Sequence, residues 1–337
     1  MKIYLFIFLM ISLCACQYQQ PLCFDHDNWI DTRVPVKVTF DWSDCPDANP
    51  ANMNLYLFPT TGGHYRRFLF NGRDGGTISI APGRYAAVAF NDDCENIKIL
   101  TPESYETFQI ALRGADDYNP YSANSYKESI CLTPGYLWTS WIDGLDITGD
   151  DITVKMSESF CRYSVEIINF PDSHRVSSIQ GIIYGNHGAL GFDRPPASDS
   201  GLLFDLGKHP GKYPRPNDKN LIYSSENQET AQKVSTDSGR FYGEFLTFGH
   251  CGQSRLPGGN KALSPRAHTL SLKYLLTNGT TCYGQVEVTD QVHSQPAERC
   301  HIVLDTLRLP PTAGGTGGGW NVSISDWKTV NIDISAK

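Results

Sequence analysis

Charge is scarce in this chain, and positive charge is the scarcer sign. Only 19% of its 337 residues are charged, with 28 Lys and Arg against 36 Asp and Glu, for a formal net charge of −8. Phosphate binding wants a basic face, so this balance argues against nucleic acid as a main partner. Long apolar runs are missing too. Beyond the first 15 residues no stretch is long and apolar enough to span a bilayer. Several chemical signatures are absent from the sequence. There is no GxSxG elbow, no CxxC or CxH spacing to suggest zinc, and no glycine loop ending in GK[ST]. No segment carries a long 3.6-residue apolar stripe, which disfavours a helical bundle. These absences imply no metal, no cofactor and no catalytic residue, and the expectation is that the chain is not an enzyme.

What is present suits strands and turns. Hydrophobic residues make up 40%, enough for sizeable cores, beside 30 Gly, 20 Pro, 17 Tyr, 16 Phe and 6 Trp. The chain starts Met1-Lys2, then runs apolar from Ile3 to Leu13. That run is too short to span a membrane and fits the core of a secretory signal. It ends in Leu13-Cys14-Ala15-Cys16, the pattern of a bacterial lipoprotein signal. A leucine stands three before Cys16 and a small residue just before it, so Cys16 is the expected site of lipid attachment. Cys14 fits less well, with bulky Leu13 before it. Residues 1–15 are then a removed signal peptide and 16–32 a lipid tether. Lipid would hold the chain to a membrane and leave the rest soluble. Of the 10 cysteines, Cys23, Cys45, Cys94, Cys131, Cys161, Cys251, Cys282 and Cys300 remain. An even number in an exported chain permits disulfides, but several can be buried thiols, and the pairing is not readable.

Residues 33–41 (RVPVKVTFD) alternate: Val34, Val36, Val38 and Phe40 point one way, Arg33, Lys37, Thr39 and Asp41 the other. Residues 53–59 read as a second strand. Asn71-Gly72 and Asp74-Gly75-Gly76 mark turns, with Thr77–Ile80 extended before Pro82-Gly83. Residues 84–90 (RYAAVAF) are apolar on both faces, as in a central strand. Residues 105–112 read as a further strand with some helical character. Later strands are expected at 161–169, 179–184, 241–248, 268–277, 281–289, 301–306 and 328–335. In 281–289, Val286 and Val288 oppose Gln285, Glu287 and Thr289; in the last, Val330, Ile332 and Ile334 face inward. Asn278-Gly279 between two strands is a strong hairpin signal. Residues 185–240, rich in Gly, Pro, Ser and Asp, read as a long irregular surface stretch. Gly314 to Gly319 reads as a flexible connector. Short strands with turn signals between them indicate all-β sandwiches. Gly149-Asp150-Asp151 places a boundary near 148–160, giving an N-terminal sandwich over 33–157 and a C-terminal one over 158–337, with no clear sequence repeat between them.

Candidate sites are few, and each has a plain structural alternative. Asp25-His26-Asp27-Asn28-Trp29 groups metal-type ligands but lacks calcium-loop or zinc spacing, so a polar tether is the better reading. His250-Cys251 cannot act as a pair on a strand, because neighbouring residues face opposite sides. Asp92-Asp93 and Asp150-Asp151 sit at turns and read as solvated residues, not a glycosidase dyad. Trp138 and Trp141 in LWTSW would form a sugar platform only if a turn intervened; core packing is the default.

The order of segments resembles a known family. The matching stretches are Leu22-Cys23-Phe24-Asp25-His26, VTFDW (38–42), PDANP (46–50), LYLFP (55–59), FNGRDGGTI (70–78), FLTFGHC (245–251), VTDQVH (288–293), HIVLD (301–305) and the closing GGGW…W…V.IDI (317–334). They resemble Bacteroidetes lipoproteins with a domain of unknown function, allied to the anchor and tip subunits of the fimbrillin superfamily. The resemblance implies two transthyretin-like β-sandwich domains in tandem on an exported, lipid-anchored chain. It implies no assigned activity. In the anchor branch the lipidated subunit sits at the base of a fimbria and receives or terminates a polymer of pilins; some relatives are suspected of binding polysaccharide. One departure is Gln17-Tyr18-Gln19-Gln20 after Cys16, where surface-exposed lipoproteins of the phylum often carry acids.

Three functions follow in order of preference. The first is a structural or adhesive envelope subunit at the outer membrane, a fimbrial anchor or accessory protein that binds fimbrial or other envelope subunits by β-strand addition. The second is an outer-membrane glycan-binding lipoprotein with polysaccharide as partner. The third is an enzyme, which needs convergent titratable groups that the sequence does not reveal. Arg33 and Lys37 offer trypsin-like cleavage points, but an anchor needs no such cut, so residues 33–41 are expected to stay in the sheet.

Overall fold

In the computed structural model the described residues are 33–115, 129–191, 199–208, 239–249, 267–296, 298–305, 307–309, 321–323 and 328–329. β1 (Val34–Asp41) follows the alternation of its sequence, burying Val36, Val38 and Phe40 and exposing Pro35, Lys37 and Thr39. It lies between β4 (Gly75–Ile80), antiparallel, and β10 (Ile152–Lys155), parallel. Gly75 makes the close approach possible. Its φ is +98°, and a Cβ there would stand 2.1 Å from the Val38 carbonyl oxygen.

The facing sheet runs β11-β9-β5-β2-β3, from β11 (Ser157–Glu158) and β9 (Trp138–Ile147) through β5 (Gly83–Asn91) and β2 (Asn52–Pro59) to β3 (Arg66–Asn71). β2 and β5 have almost no polar face because both of their faces are covered. Met53, Leu55, Leu57, Ala87 and Ala89 pack on Val36, Val38 and Phe40 in one core. Tyr56, Phe58, Val88 and Phe90 belong to a second core together with Tyr105, Phe108 and Ile110. A strand buried on both sides reads as a continuous apolar run, which is how 84–90 looks in sequence.

The second sandwich repeats the wiring of the first. β12 (Cys161–Ile168) lies between β16 (Phe241–Thr247), antiparallel, and β19 (Arg299–Asp305), parallel, as β1 lies between β4 and β10. β13 (Val176–His187) pairs with β15 (Asp199–Lys208) and β17 (Thr269–Leu276), and β17 pairs with β18 (Thr281–Glu287), matching β2 with β3 and β5, and β5 with β9. Two exchanges tie the halves together. β8 (Ser129–Leu132) adds in parallel to β15. β14 (Ala189–Gly191) adds to β7 (Gln109–Leu112), itself paired with β6 (Ile97–Leu100). The fold is all-β and sandwich-built, as the sequence implies.

Four local expectations need correction. Only Gln109–Leu112 of 105–112 is strand; Thr101–Thr107 runs through turns that deliver Tyr105 and Phe108 to the core. The stretch from 185 is not irregular throughout, since the end of β13 and β14 are largely buried strands and β15 is a strand that buries Ser200, Leu202, Phe204 and Leu206. The strand at 281–289 stops at Glu287, and a short helix α1 (Thr289–His293) follows. β3, with Phe68 and Phe70 inward, is a strand the sequence reading did not mark.

Candidate partner-docking edges

Every β-sandwich must manage the unpaired backbone of its edge strands. The second sandwich does so on both sides. β15 bends across to β16 through Gly207 opposite Tyr242 and Lys208 opposite Phe241, so one side is laddered shut. On the other side β20 (Asn321–Ser323) adds to β18, and β21 (Lys328–Thr329) adds to β19 at Leu304 and Asp305. The side chains of Gln291 and Gln295 occupy the rest of β19.

The first sandwich does not repeat this closure among the described residues. β3 pairs with β2 alone, and β4 and β10 each pair with β1 alone. No ladder joins β3 to β4, the counterparts of β15 and β16. β10 is short and carries Lys155, which bonds Asp44 at 2.9 Å, both of them edge-protecting features. β3 is longer and more inviting. Its Phe68 and Phe70 fill the core, while Leu69 is 56% exposed. Arg67 is held over the Tyr56 ring at 5.7 Å and donates from Nε to Asn54 Oδ1 at 2.8 Å, with Asp92 at 3.4 Å. The edge is therefore pre-ordered by its own side chains, with one apolar residue presented outward. Among the described residues the exposed large apolar side chains are Leu69, Leu100, Tyr136 and Leu275. They stand on β3, on β6, just before β9 and on β17. What β3 offers a partner is backbone, with both cores already filled.

The outer face of β16, β12 and β19 carries the main polar network. Glu166 is buried, yet its Oε1 accepts from Arg240 at 3.0 and 2.6 Å and its Oε2 lies 3.5 Å from His301 Nε2. His301 Nδ1 is 2.8 Å from Ser164 Oγ. Burial, then the Glu244 carboxylate, pushes the neighbouring Tyr242 phenol up to about 12. A serine, a histidine and a carboxylate in line invite a nucleophilic reading. However, Ser164 sits mid-strand with ladders on both sides, so its neighbours' backbone N–H groups are committed to sheet hydrogen bonds and not to an oxyanion. The arrangement is a buried carboxylate satisfied by an arginine fork.

The other sequence candidates separate. Trp138 and Trp141 face opposite sides of β9. Trp138 packs at 6.1 Å from Trp42, and Trp141 at 5.9 Å from Phe108, so they share no platform. Asp92 and Asp93 order a turn, accepting from Asn54 Nδ2 at 2.6 Å and from the Ala51 N–H at 2.7 Å. Asp150 accepts from Thr148 at 2.7 Å. Cys45, Cys94, Cys282 and Cys300 are thiols. Burial pushes Cys94 and Cys300 up to about 12, and burial with Glu158 and Asp44 pushes Cys45 up to about 11. No cluster of metal-type ligands occurs among the described residues, and none of their helices is long and apolar enough to cross a membrane. Cys16, Cys23, Asp25 to Trp29, His250, Cys251, Gly314 to Gly319, Val330, Ile332 and Ile334 lie outside the described residues. Sequence reasoning missed Glu166, Arg240, Gln291 and Gln295. Of these only the glutamines left a signal, an i, i+4 spacing.

These features define a class: a protein of two like-wired β-sandwiches, the second with its sheets joined through β15 and β16 and the first with β3 unjoined to β4 among the described residues. The chain belongs to the family described as a domain of unknown function, DUF5119, whose profile matches residues 15–200. A protein of Bacteroides ovatus provisionally named a fimbrium anchoring subunit, Fim4B, is 27% identical over 154 residues. That match covers 45% of this chain and only 41% of the relative's length. A solved structure from Bacteroides ovatus, provisionally described as an adhesin, superposes with a TM-score of 0.58 at 19% identity. It covers 85% of this chain and 96% of its own, a likeness of fold. The fimbrial anchor Mfa2 of Porphyromonas gingivalis gives a TM-score of 0.45 at 16% identity, over 81% of this chain and 90% of its own.

Proposed function

We propose that this chain is a non-catalytic cell-envelope subunit, a fimbrial anchor or accessory protein, held at the outer membrane by lipid on Cys16. Its first sandwich receives an extended strand from a partner subunit along β3. The observation that carries this reading is the contrast between two sandwiches of the same wiring. In the second, a ladder from β15 to β16 joins the two sheets on one side; in the first, no ladder joins β3 to β4, and β3 has no second neighbour among the described residues. The provisional name of the Bacteroides ovatus relative supports the same direction. In strand addition, main-chain hydrogen bonds supply affinity, each worth about 0.5–1.5 kcal/mol net, and alternate side chains supply choice of partner. Leu69 would meet an apolar side chain of the incoming strand, and Arg66 and Arg67 favour acidic residues beside it.

The test is crosslinking of full-length protein in intact cell envelopes, pull-down, and mass spectrometry of the denatured bands. The expected result is a ladder containing fimbrillin-like proteins that disappears in a folded Leu69→Lys variant, because a charge at this position blunts the edge. A lone band, or recovery with outer-membrane glycan-uptake proteins, would overturn the reading in favour of glycan binding. Cys16→Ala tests the anchor separately: it should move the protein from the membrane fraction to the soluble fraction.

A further inference from the structure

The molecule already contains one strand addition, and it falls on the counterpart of β3. β15 holds the place in the second sandwich that β3 holds in the first: each pairs antiparallel with the second strand of its sandwich, β13 or β2. β13 takes one side of β15 along residues 199–206, so β8 adds to the other. β8 runs parallel to β15, with its four residues opposite 200–203. Cys131 stands opposite Leu202 and is buried with it in one core, while Ser129 is exposed. A segment from the first half of the chain thus covers this edge, in a direction set by the fold.

The phase of β3 follows from its neighbours. The Gly72 N–H bonds the Ala51 carbonyl at 2.7 Å, and the Asp92 N–H bonds the Asn52 carbonyl at 3.0 Å. Bonded pairs alternate along antiparallel ladders, so Arg66, Phe68 and Phe70 turn their backbone groups to β2, and Arg67, Leu69 and Asn71 turn theirs outward. Phe68 and Phe70 point into the first core as Leu202 and Phe204 point into the second. Setting Phe68 on Leu202 places Arg66 at Ser200 and Leu69 at Leu203. The exposed residues of β3 are then two arginines at its start, with Leu69 after them. This rests on the strand-addition reading above: we propose that the partner strand runs parallel to β3, as β8 runs along β15, with acidic residues opposite Arg66 and Arg67 and apolar residues opposite Phe68 and Leu69. Read from its N-terminal end, the partner segment has acid first and apolar residues after. An antiparallel guest needs the reverse order.

The experiment installs a photocrosslinking benzoylphenylalanine in the full chain, in place of His64 or, separately, Asn71. Both residues are exposed and they flank the charged and apolar stretch. Intact cell envelopes are irradiated, and mass spectrometry of the digests identifies the partner residue attached at each end. The expected result is a single partner segment in which the residue caught from position 64 precedes the one caught from position 71, with Asp or Glu nearer the former. The reverse order, or no acid at that end, would overturn the proposal and leave strand addition at β3 standing. No crosslink from either position would overturn both. Arg66→Glu is the second arm, because Asp92 already lies 3.4 Å from Arg67. It should weaken partner capture roughly fivefold, and Lys in place of the crosslinked segment's acids should restore it. Unchanged capture by folded Arg66→Glu would overturn the acidic end.

Discussion

Phe108 ties the turn before β7 to the sheet of β2 and β9 through its ring. It lies 5.0 Å from Tyr56, 5.8 Å from Phe58 and 5.9 Å from Trp141, and is fully buried. Truncation removes those contacts and leaves a cavity between rigid sheets. Phe108→Ala should therefore cost about 3–5 kcal/mol, read as a lowered urea midpoint at unchanged slope. Glu166 and Arg240 make the opposite case, a polar pair where partner loss matters more than the pair itself. Arg240→Ala leaves a buried carboxylate without its fork and should cost about 3–5 kcal/mol, while Glu166→Leu/Arg240→Met should recover most of that loss. If the double variant is as unstable as the single one, the pair is not the source of the cost. Neither residue was legible as special. Phe108 announced its burial but not the turn that aims it. Glu166 occupies an outward slot in the alternation of β12 and reads as solvated; its burial comes from Arg240, far along the chain.

At the scale of elements, legibility followed local chemistry. The β17–β18 hairpin is one success. Gly279 has φ +81° and its N–H bonds the Leu276 carbonyl at 2.9 Å, so the Asn278-Gly279 signal names the turn that forms. Gly279→Ala should cost about 1 kcal/mol by strain alone, since a Cβ there meets nothing within 4 Å. β1 was legible for the same reason: one face is core and one is water. β15 was not, because its pairing with β8 and β13 buries Ser200, Gly201 and Leu202 in a row and leaves a clear alternation only from Leu202 to Leu206. β3 was obscured by its arginines, which point along an edge. α1 is five residues long, too short to show a helical period. Because β1 is central, losing it would strip Val36, Val38 and Phe40 from the first core. Chain-start sequencing of protein recovered from cells should therefore find β1 intact, and a start at or beyond Val34 would contradict this.

For the whole molecule, the thiols that could have been a disulfide framework instead make a prediction about pH. Cys94 and Cys300 are raised by burial from 9.0 to about 12, and Cys45 from 9.0 to about 11, by burial first and then by nearby carboxylates. A thiol whose folded pKa lies above its unfolded value keeps its proton in the folded state while the unfolded chain has lost it. Its contribution to stability is full below pH 9 and declines as pH rises through the folded pKa. In that window each such group lowers stability by about 1.4 kcal/mol per pH unit. Urea midpoints taken in reducing buffer should thus hold level to pH 9 and fall steeply toward pH 11. Lysine and tyrosine titration adds to any alkaline loss, so the decisive comparison is with Cys94→Val/Cys300→Val. That variant removes two thiols whose pKa is raised chiefly by burial, and should fall less steeply over the same range. Equal slopes would mean that the buried thiols do not carry the alkaline transition.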